Sequence, residues 1–210
     1  MRAVVASLPL LILVACSSQD ASTDPGSVRD RLATDTHLFI AASDSAGAVT
    51  AQMRSGTGWE DGLVDLKLEG GELVARASRG GAIALSALAL ELQTITIPAT
   101  VIGHEAQLSR PRLQLTAPVE LTATWNGDDD AQVDASLSLE LSWSLTVDGV
   151  GLPLGAPSLP PLPVKLGFTG DGVHVTAELR VHAPGELWNW ADLIKLSDLE
   201  LVLGADTPES

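Results

Sequence analysis

The sequence predicts a mainly β protein: a long, twisted antiparallel sheet, coiled or closed part-way into a half-barrel, with one or two short helices. Three observations carry that expectation. Over 113–147 the apolar residues fall on odd positions, Leu113, Leu115, Ala117, Val119, Leu121, Ala123 and Trp125, then Val133, Ala135, Leu137, Leu139, Leu141, Trp143, Leu145 and Val147. A period of two scatters such residues around a helix but gathers them on one face of a strand. The 19 Gly and 12 Pro supply many turns and leave little room for long helices. Finally, the 15 residues from 133 to 147 would span roughly 50 Å, against about 42 Å for the diameter of a compact chain of this size, so the sheet must twist or coil.

The first element is an address. Arg2 and the apolar run 3–14, interrupted by Pro9, are too short for a mature membrane helix and read as an export signal. The run ends in Leu13-Val14-Ala15-Cys16, which resembles the lipobox of bacterial lipoproteins. The resemblance implies cleavage after a signal peptide of residues 1–15, diacylglycerol on the Cys16 sulfur and a fatty acyl group on the new amino terminus. Cys16 is then the lipidation site, and its two glyceryl-borne chains suffice for a stable anchor. An ordinary secretory signal with a Cys near its end is the alternative. In lipoproteins of the enteric type an Asp after the Cys marks inner-membrane retention, so Ser17 implies the outer membrane. The expected localisation is the cell envelope, lipid-anchored and exported.

Residues 16–27 are expected to be the lipidated Cys and a flexible tether, 28–206 a single β-rich domain and 207–210 a tail. The segment 17–27 has no large apolar side chain to bury. Val28 and Leu32 sit at helical spacing behind a Ser27 cap, predicting a helix near 27–34, and Leu38-Phe39-Ile40 is a candidate short strand. From residue 62 the period is two. Val64, Leu66 and Leu68 lead to Gly70-Gly71, read as a hairpin turn into Leu73, Ala75 and Ala77. A third strand carries Leu88, Leu90 and Leu92, with a bulge near Gln93 shifting the phase to Ile95 and Ile97.

The two rows within 113–147 are expected to pair as one hairpin, Trp125 with Val133 and Leu115 with Trp143, across the polar loop Asn126-Gly127-Asp128-Asp129-Asp130. The Pro-rich stretch 149–163, with Leu152, Leu154, Leu159 and Leu162, reads as a packed crossing between sheet regions; a Pro-rich recognition ligand is the alternative. Val164, Leu166 and Phe168 turn through Thr169-Gly170-Asp171-Gly172 into Val173, Val175, Ala177, Leu179 and Val181. Leu187, Trp190, Ala191 and Ile194 fit the spacing of a short amphipathic helix, and Leu199, Leu201 and Leu203 make a last strand.

Charge and composition narrow the function classes. With 12 Lys+Arg against 27 Asp+Glu the chain carries a formal −15, which excludes a nucleic-acid partner. One Cys excludes an internal disulfide. The absence of Tyr and only 3% aromatics argue against a strand-contributing piece of an outer-membrane barrel, which needs aromatic girdles. The sequence holds no Gly-x-Ser-x-Gly, Ser-x-x-Lys, His-Glu-x-x-His, phosphate loop or dinucleotide fingerprint. No enzyme activity, cofactor or metal is therefore expected. His174 and His182 are too far apart along one strand to share a metal, and His37 and His104 are isolated. Asp128-Asp129-Asp130 lacks the alternating ligands of a calcium loop and reads as a solvated hairpin tip. Trp59, Trp125, Trp143, Trp188 and Trp190 read as core or edge packing.

The strand-turn-strand sequence from Leu162 through Phe168, Gly170 and Gly172 to Ala177, with Leu196-Ser197-Asp198-Leu199-Glu200-Leu201, resembles the AsmA-like and tubular lipid-binding (TULIP-like) β-proteins. That resemblance spans about a quarter of the chain and implies lipid binding in an apolar groove without catalytic residues. The expected lipid-facing or core positions are Leu115, Val119, Leu121, Leu137, Leu139, Leu141 and Trp143. Two functions remain open: a membrane-anchored lipid-binding or lipid-carrying protein, and a non-catalytic structural or interaction lipoprotein with a dry β core. Expected partners are the membrane, through Cys16, and a lipid ligand or an envelope protein.

Overall fold

The computed structural model describes residues 26–55, 58–97, 105–152, 159–171, 173–190 and 194–208. The export signal, Cys16, the tether through residue 25, His104, Leu154, Gly172, Ala191 and the last two residues lie outside them. Within them the protein is mainly β, a large antiparallel sheet that is not closed, with one helix and one 3-10 turn.

The helix α1 (Val28–Arg31) forms where the Val28/Leu32 spacing predicts it. Its Ser27 hydroxyl oxygen accepts the Asp30 N–H at 3.2 Å, satisfying one of the donors a first turn leaves unpaired. The strands follow as β1 (Thr36–Ile40), β2 (Ala46–Ser55), β3 (Gly58–Leu66), β4 (Leu68–Ala77), β5 (Ile83–Leu92), β6 (Ile95–Ile97), β7 (Ala106–Leu115), β8 (Val119–Leu121), β9 (Thr124–Trp125), β10 (Asp130–Leu137), β11 (Leu139–Val147), β12 (Val150–Leu152), β13 (Leu162–Gly170), β14 (Val175–Trp190) and β15 (Ile194–Asp206). The 3-10 turn Ala42–Asp44 links β1 to β2.

The hydrogen-bonded path runs β12-β11-β7-β5-β4-β1-β15-β14-β13-β10-β9, with β2 paired to β15 and β3, β6 to β7 and β8 to β5. β10 and β11 stand near opposite ends of that path yet are separated in sequence by Ser138 alone, so the sheet bends until its two flanks meet there. Thr116 holds the junction, its N–H and hydroxyl donating to the Ser138 carbonyl at 3.1 and 3.0 Å. The apolar face turns inward, and no polar side chain is buried among the described residues.

The inward faces match the alternation, but several pairings differ from expectation. The predicted hairpin of 113–147 exists only at its two ends. Trp125 faces Ala131, and Leu115 faces Leu139, slips of two and four residues from the expected register. Both slips are even, so every side chain keeps its face. Between the ends the hairpin splays: β8 pairs with β5 and β10 with β13. An alternating pattern fixes which side of a strand is apolar, not which strand lies beside it, and splaying lets one chain segment serve both flanks.

Gly70-Gly71 is not a turn. Both residues lie inside β4, and β3 pairs with β2 rather than β4. Gly71 is there because a Cβ would stand 2.5 Å from the Ala89 carbonyl oxygen, a contact that excludes any side chain. The phase change expected near Gln93, from Leu92 to Ile95, occurs there by a break between β5 and β6 and not by a bulge, while a bulge at Ser86 makes an earlier change from Leu85 to Leu88. At Gln93 the chain leaves β5, its N–H bonding the Lys67 carbonyl at 2.7 Å. The helix expected at 187–194 is strand: β14 runs through Trp190, and β15 starts at Ile194. Two register shifts, between Ala183 and Glu186 and between Glu186 and Trp188, break the period of two there and leave a spacing that imitates a helix. Val173 belongs to the turn before β14 and is exposed.

The hairpin joining β13 to β14 is present, with Gly170 opposite Val175 and the Asp171 carboxylate accepting the N–H groups of Val173 and His174, each at 2.8 Å. The Pro-rich stretch contributes β12 at its start and the first residues of β13 at its end, while Leu159 and Leu162 pack on the core.

Candidate functional site

The two ends of the curved sheet differ. At one end α1 closes it. Leu32 accepts the Ala77 N–H at 2.6 Å, and the Arg29 N–H reaches the Asp128 carbonyl at 3.0 Å. Val28 N–H donates to the Asp129 carboxylate at 3.2 Å, and the Arg29 guanidinium to that of Asp128 at 3.1 Å. The Asp-rich loop, expected as a solvated tip, therefore holds the helix. Trp125 belongs to the same closure: its indole N–H donates to the Gly81 carbonyl at 2.6 Å, with Arg29 4.8 Å from its ring.

At the other end the sheet walls enclose an apolar cavity of about 70 Å³. One wall comes from β5 and β6 (Leu90, Leu92, Ile95), β7 (Leu108, Pro111, Leu113) and β11 (Leu141, Trp143, Leu145). The facing wall comes from β2 and β3 (Val49, Ala51, Val64, Leu66), β14 (Leu187, Trp188) and β15 (Ile194, Leu196, Leu199, Leu201), with Leu159 between. Trp143 packs directly against Trp188 in the cavity wall, ring centroids 4.8 Å apart and edge to face. The Trp143 indole N–H is buried without a hydrogen-bond partner.

Each wall is built by a phase switch. In β7 the ladder shifts opposite Trp143, and Arg110 takes a left-handed φ of 51°. Before it the inward residue is the even-numbered Leu108, after it the odd-numbered Pro111 and Leu113. In β15 the shift lies between Ser197 and Glu200, with Asp198 at φ 53°, and the inward set changes from Ile194 and Leu196 to Leu199 and Leu201. The neighbouring bulge of β14 contains Gly185 at φ 87°, a conformation that favours glycine. The Asp198 carboxylate joins the two bulges, accepting the Gly185 N–H at 2.8 Å and the Ser197 hydroxyl at 3.0 Å. First the Gly185 N–H, then the Ser197 hydroxyl, hold its carboxyl below the ordinary aspartate value. Asp198 thus positions the turn of the backbone that brings Leu187, Trp188 and Leu196 inward.

Of the expected lipid-facing or core positions, Leu141 and Trp143 line this cavity. Leu121, Leu137 and Leu139 lie in the packed core, and Leu115 and Val119 are half-buried against it. The β14 residues went unrecognised because their bulges mimic helical spacing. Val49 and Ala51 were missed although their odd positions, with Met53, continue a period of two; small side chains give that alternation little contrast.

The remaining candidate residues are spread over the surface. His37 pairs with Glu72 and His182 with Glu200, both exposed. Among the described residues no three His, Cys, Asp or Glu side chains converge in a way that could hold a metal, and no helix is long and apolar enough to cross a membrane. A scan against protein-family models finds no match, and neither the curated proteins nor the solved structures contain one.

Proposed function

We propose that this protein is a lipid-anchored envelope protein that holds a hydrocarbon chain, such as the acyl chain of a lipid, in the apolar cavity that Trp143 and Trp188 help to line. One observation carries the reading: the inward face is filled and capped at the α1 end but bounds an unfilled, wholly apolar space at the other. A cavity without polar lining favours a ligand segment that brings no polar group. The Leu13-Val14-Ala15-Cys16 sequence supports the anchor, and the open, curved sheet agrees with the resemblance to lipid-binding β-proteins.

Two measurements test it. Metabolic fatty-acid labelling should mark the wild-type protein and not Cys16→Ser, which should leave the membrane fraction or accumulate unprocessed; normal labelling of the variant removes the anchor. A fluorescent fatty-acyl probe should bind the folded protein saturably, with loss of binding in Leu141→Gln. Absence of saturable binding by the folded protein removes the lipid reading. The second reading, an interaction lipoprotein with a dry core, is favoured by the small size of the cavity, about 70 Å³, against the roughly 300–1,000 Å³ of ordinary ligand pockets. Lipid entry on the first reading therefore requires the walls to part, and the probe experiment separates the two.

A further inference from the structure

We propose that the solvent face of β3 around Trp59 and Leu63 is the surface on which the cavity end settles against a bilayer of neutral, zwitterionic lipid. This rests on the acyl-chain reading of the cavity and deepens it by naming where the chain comes from.

β3 carries large apolar residues on both faces, the outward Trp59 and Leu63 alternating in sequence with Asp61 and Asp65. Val64 and Leu66 point into the cavity, while Trp59 is 37% and Leu63 73% exposed. Elsewhere the outward rows are mostly polar, as in Lys165, Thr169, Glu178 and Arg180 on β13 and β14. Single exposed apolar residues need no explanation; here two lie on one strand whose other face lines the cavity. The surface backs the cavity wall through β15 as well, where the outward Lys195 alternates with the lining residues Ile194 and Leu196. The Lys195 ammonium stands 4.4 Å from the centre of the Trp59 ring and 3.6 Å from the Glu186 carboxylate. An indole with a lysine at its edge suits the headgroup layer, where the ring meets the acyl boundary and the flexible stem carries its charge to the phosphates.

Two arguments select a neutral bilayer approached independently of the anchor. Removal of residues 1–15 would take Arg2 and leave 11 basic against 27 acidic residues, so anionic lipid would repel the protein. The chain enters the described fold at Gly26, beside α1. From there β14 leads away from Val175 to Trp188, 13 residues on, or roughly 43 Å. The ten residues from Cys16 to Gly26 can bridge at most about 36 Å whatever their conformation, less than that separation. The anchor therefore does not carry the cavity end to the membrane, and that end needs its own affinity. Because no polar atom lines the cavity, a headgroup stays outside, and the walls must open where acyl chains are already at hand.

The test is flotation with phosphatidylcholine vesicles of the protein from position 16 onward carrying Cys16→Ser, which retains every described residue. It should float, and Trp59→Ser with Leu63→Ser should lower the apparent affinity at least tenfold while soluble acyl probe still binds. Leu63→Glu serves as a second variant at the more exposed position, with thermal melting as the folding control for both. Equal flotation of parent and variants, or no flotation of the parent, overturns the proposal. It is equally overturned if the parent instead dimerises in sedimentation and the variants do not, since the face then meets a second copy of the chain. Flotation that the variants lose, with no acyl probe bound by any of the proteins, upholds the docking surface and removes the acyl-chain reading alone.

Discussion

At the α1 end Val28, Leu32 and Phe168 are at most 1% exposed, and a glycine, Gly170, makes room for the helix, since a Cβ there would stand 2.6 Å from Val28. At the opposite end Leu187, Trp188 and Ile194 are only half-buried around unfilled space. The same alternating strands build both ends, so the strand pattern does not account for the contrast. What differs is the closure. A curved sheet that is not closed exposes its concave face at each mouth, and at the first mouth four residues of helix, tied down by Asp128 and Asp129, cover it. At the second the phase switches at Arg110 and Asp198 keep large apolar side chains pointing inward while the space between the walls stays open.

The largest difference between the ends is expected on truncation. Phe168→Ala removes a ring that is 0% exposed and should cost about 3–5 kcal/mol in chemical unfolding. Trp188→Ala, at the half-buried mouth, should cost no more than about half of that, since part of its ring already meets solvent or free space. Equal losses would mean that the cavity end is as tightly packed as the helix end. Enlargement should reverse the order. Ala131→Phe places a ring where Ala131 is 0% exposed and should destabilise by about 1–3 kcal/mol. Ala51→Phe grows into the cavity and should leave the melting temperature within a degree or two while abolishing acyl-probe binding. Undiminished binding in that variant would place the probe elsewhere on the protein.

How far these ends could be read in the sequence depends on what marks them. The closed end is well marked: Ser27 before Val28 and Leu32 signals a capped helix, and Thr169-Gly170-Asp171-Gly172 signals the turn against which it packs. The faces of 113–147 are equally plain, because a period of two is set by the chain itself. Strand neighbours are not, because β10 and β11 read as one continuous row, yet Ser138 sends its halves to opposite flanks. The cavity is least legible. It depends on Arg110, Asp198 and the Pro184-Gly185 bulge, each of which reverses the phase and so erases the alternation that would have revealed it. One non-glycine residue with positive φ is invisible in a hydropathy pattern, and its effect is to move every later side chain to the other face.

Asp198 offers the smallest effect and the finest test of that account. Asp198→Asn keeps a side chain that tolerates the left-handed backbone at φ 53° and retains an acceptor for the Gly185 N–H, so only the charge is removed. In the folded protein the Gly185 N–H, and after it the Ser197 hydroxyl, hold the carboxyl below its ordinary value of 3.8. A folded-state value below the unfolded one means the unfolded chain binds the proton more readily. The carboxylate therefore contributes stability above the unfolded value near pH 4, and that contribution fades as pH falls through the lower folded value. At neutral pH the variant should melt a little below the parent, and the gap should close on acidification below about pH 4 as the parent's own carboxyl takes up its proton. Acyl-probe binding should follow the same course, with the parent approaching the variant in acid, because the joined bulges are what turn Trp188 and Leu196 inward. A melting difference that stays constant from neutral to acid pH would show that the amide and the carboxylate differ in fit rather than in charge. A change in melting without any change in probe binding would separate the bulge from the cavity altogether.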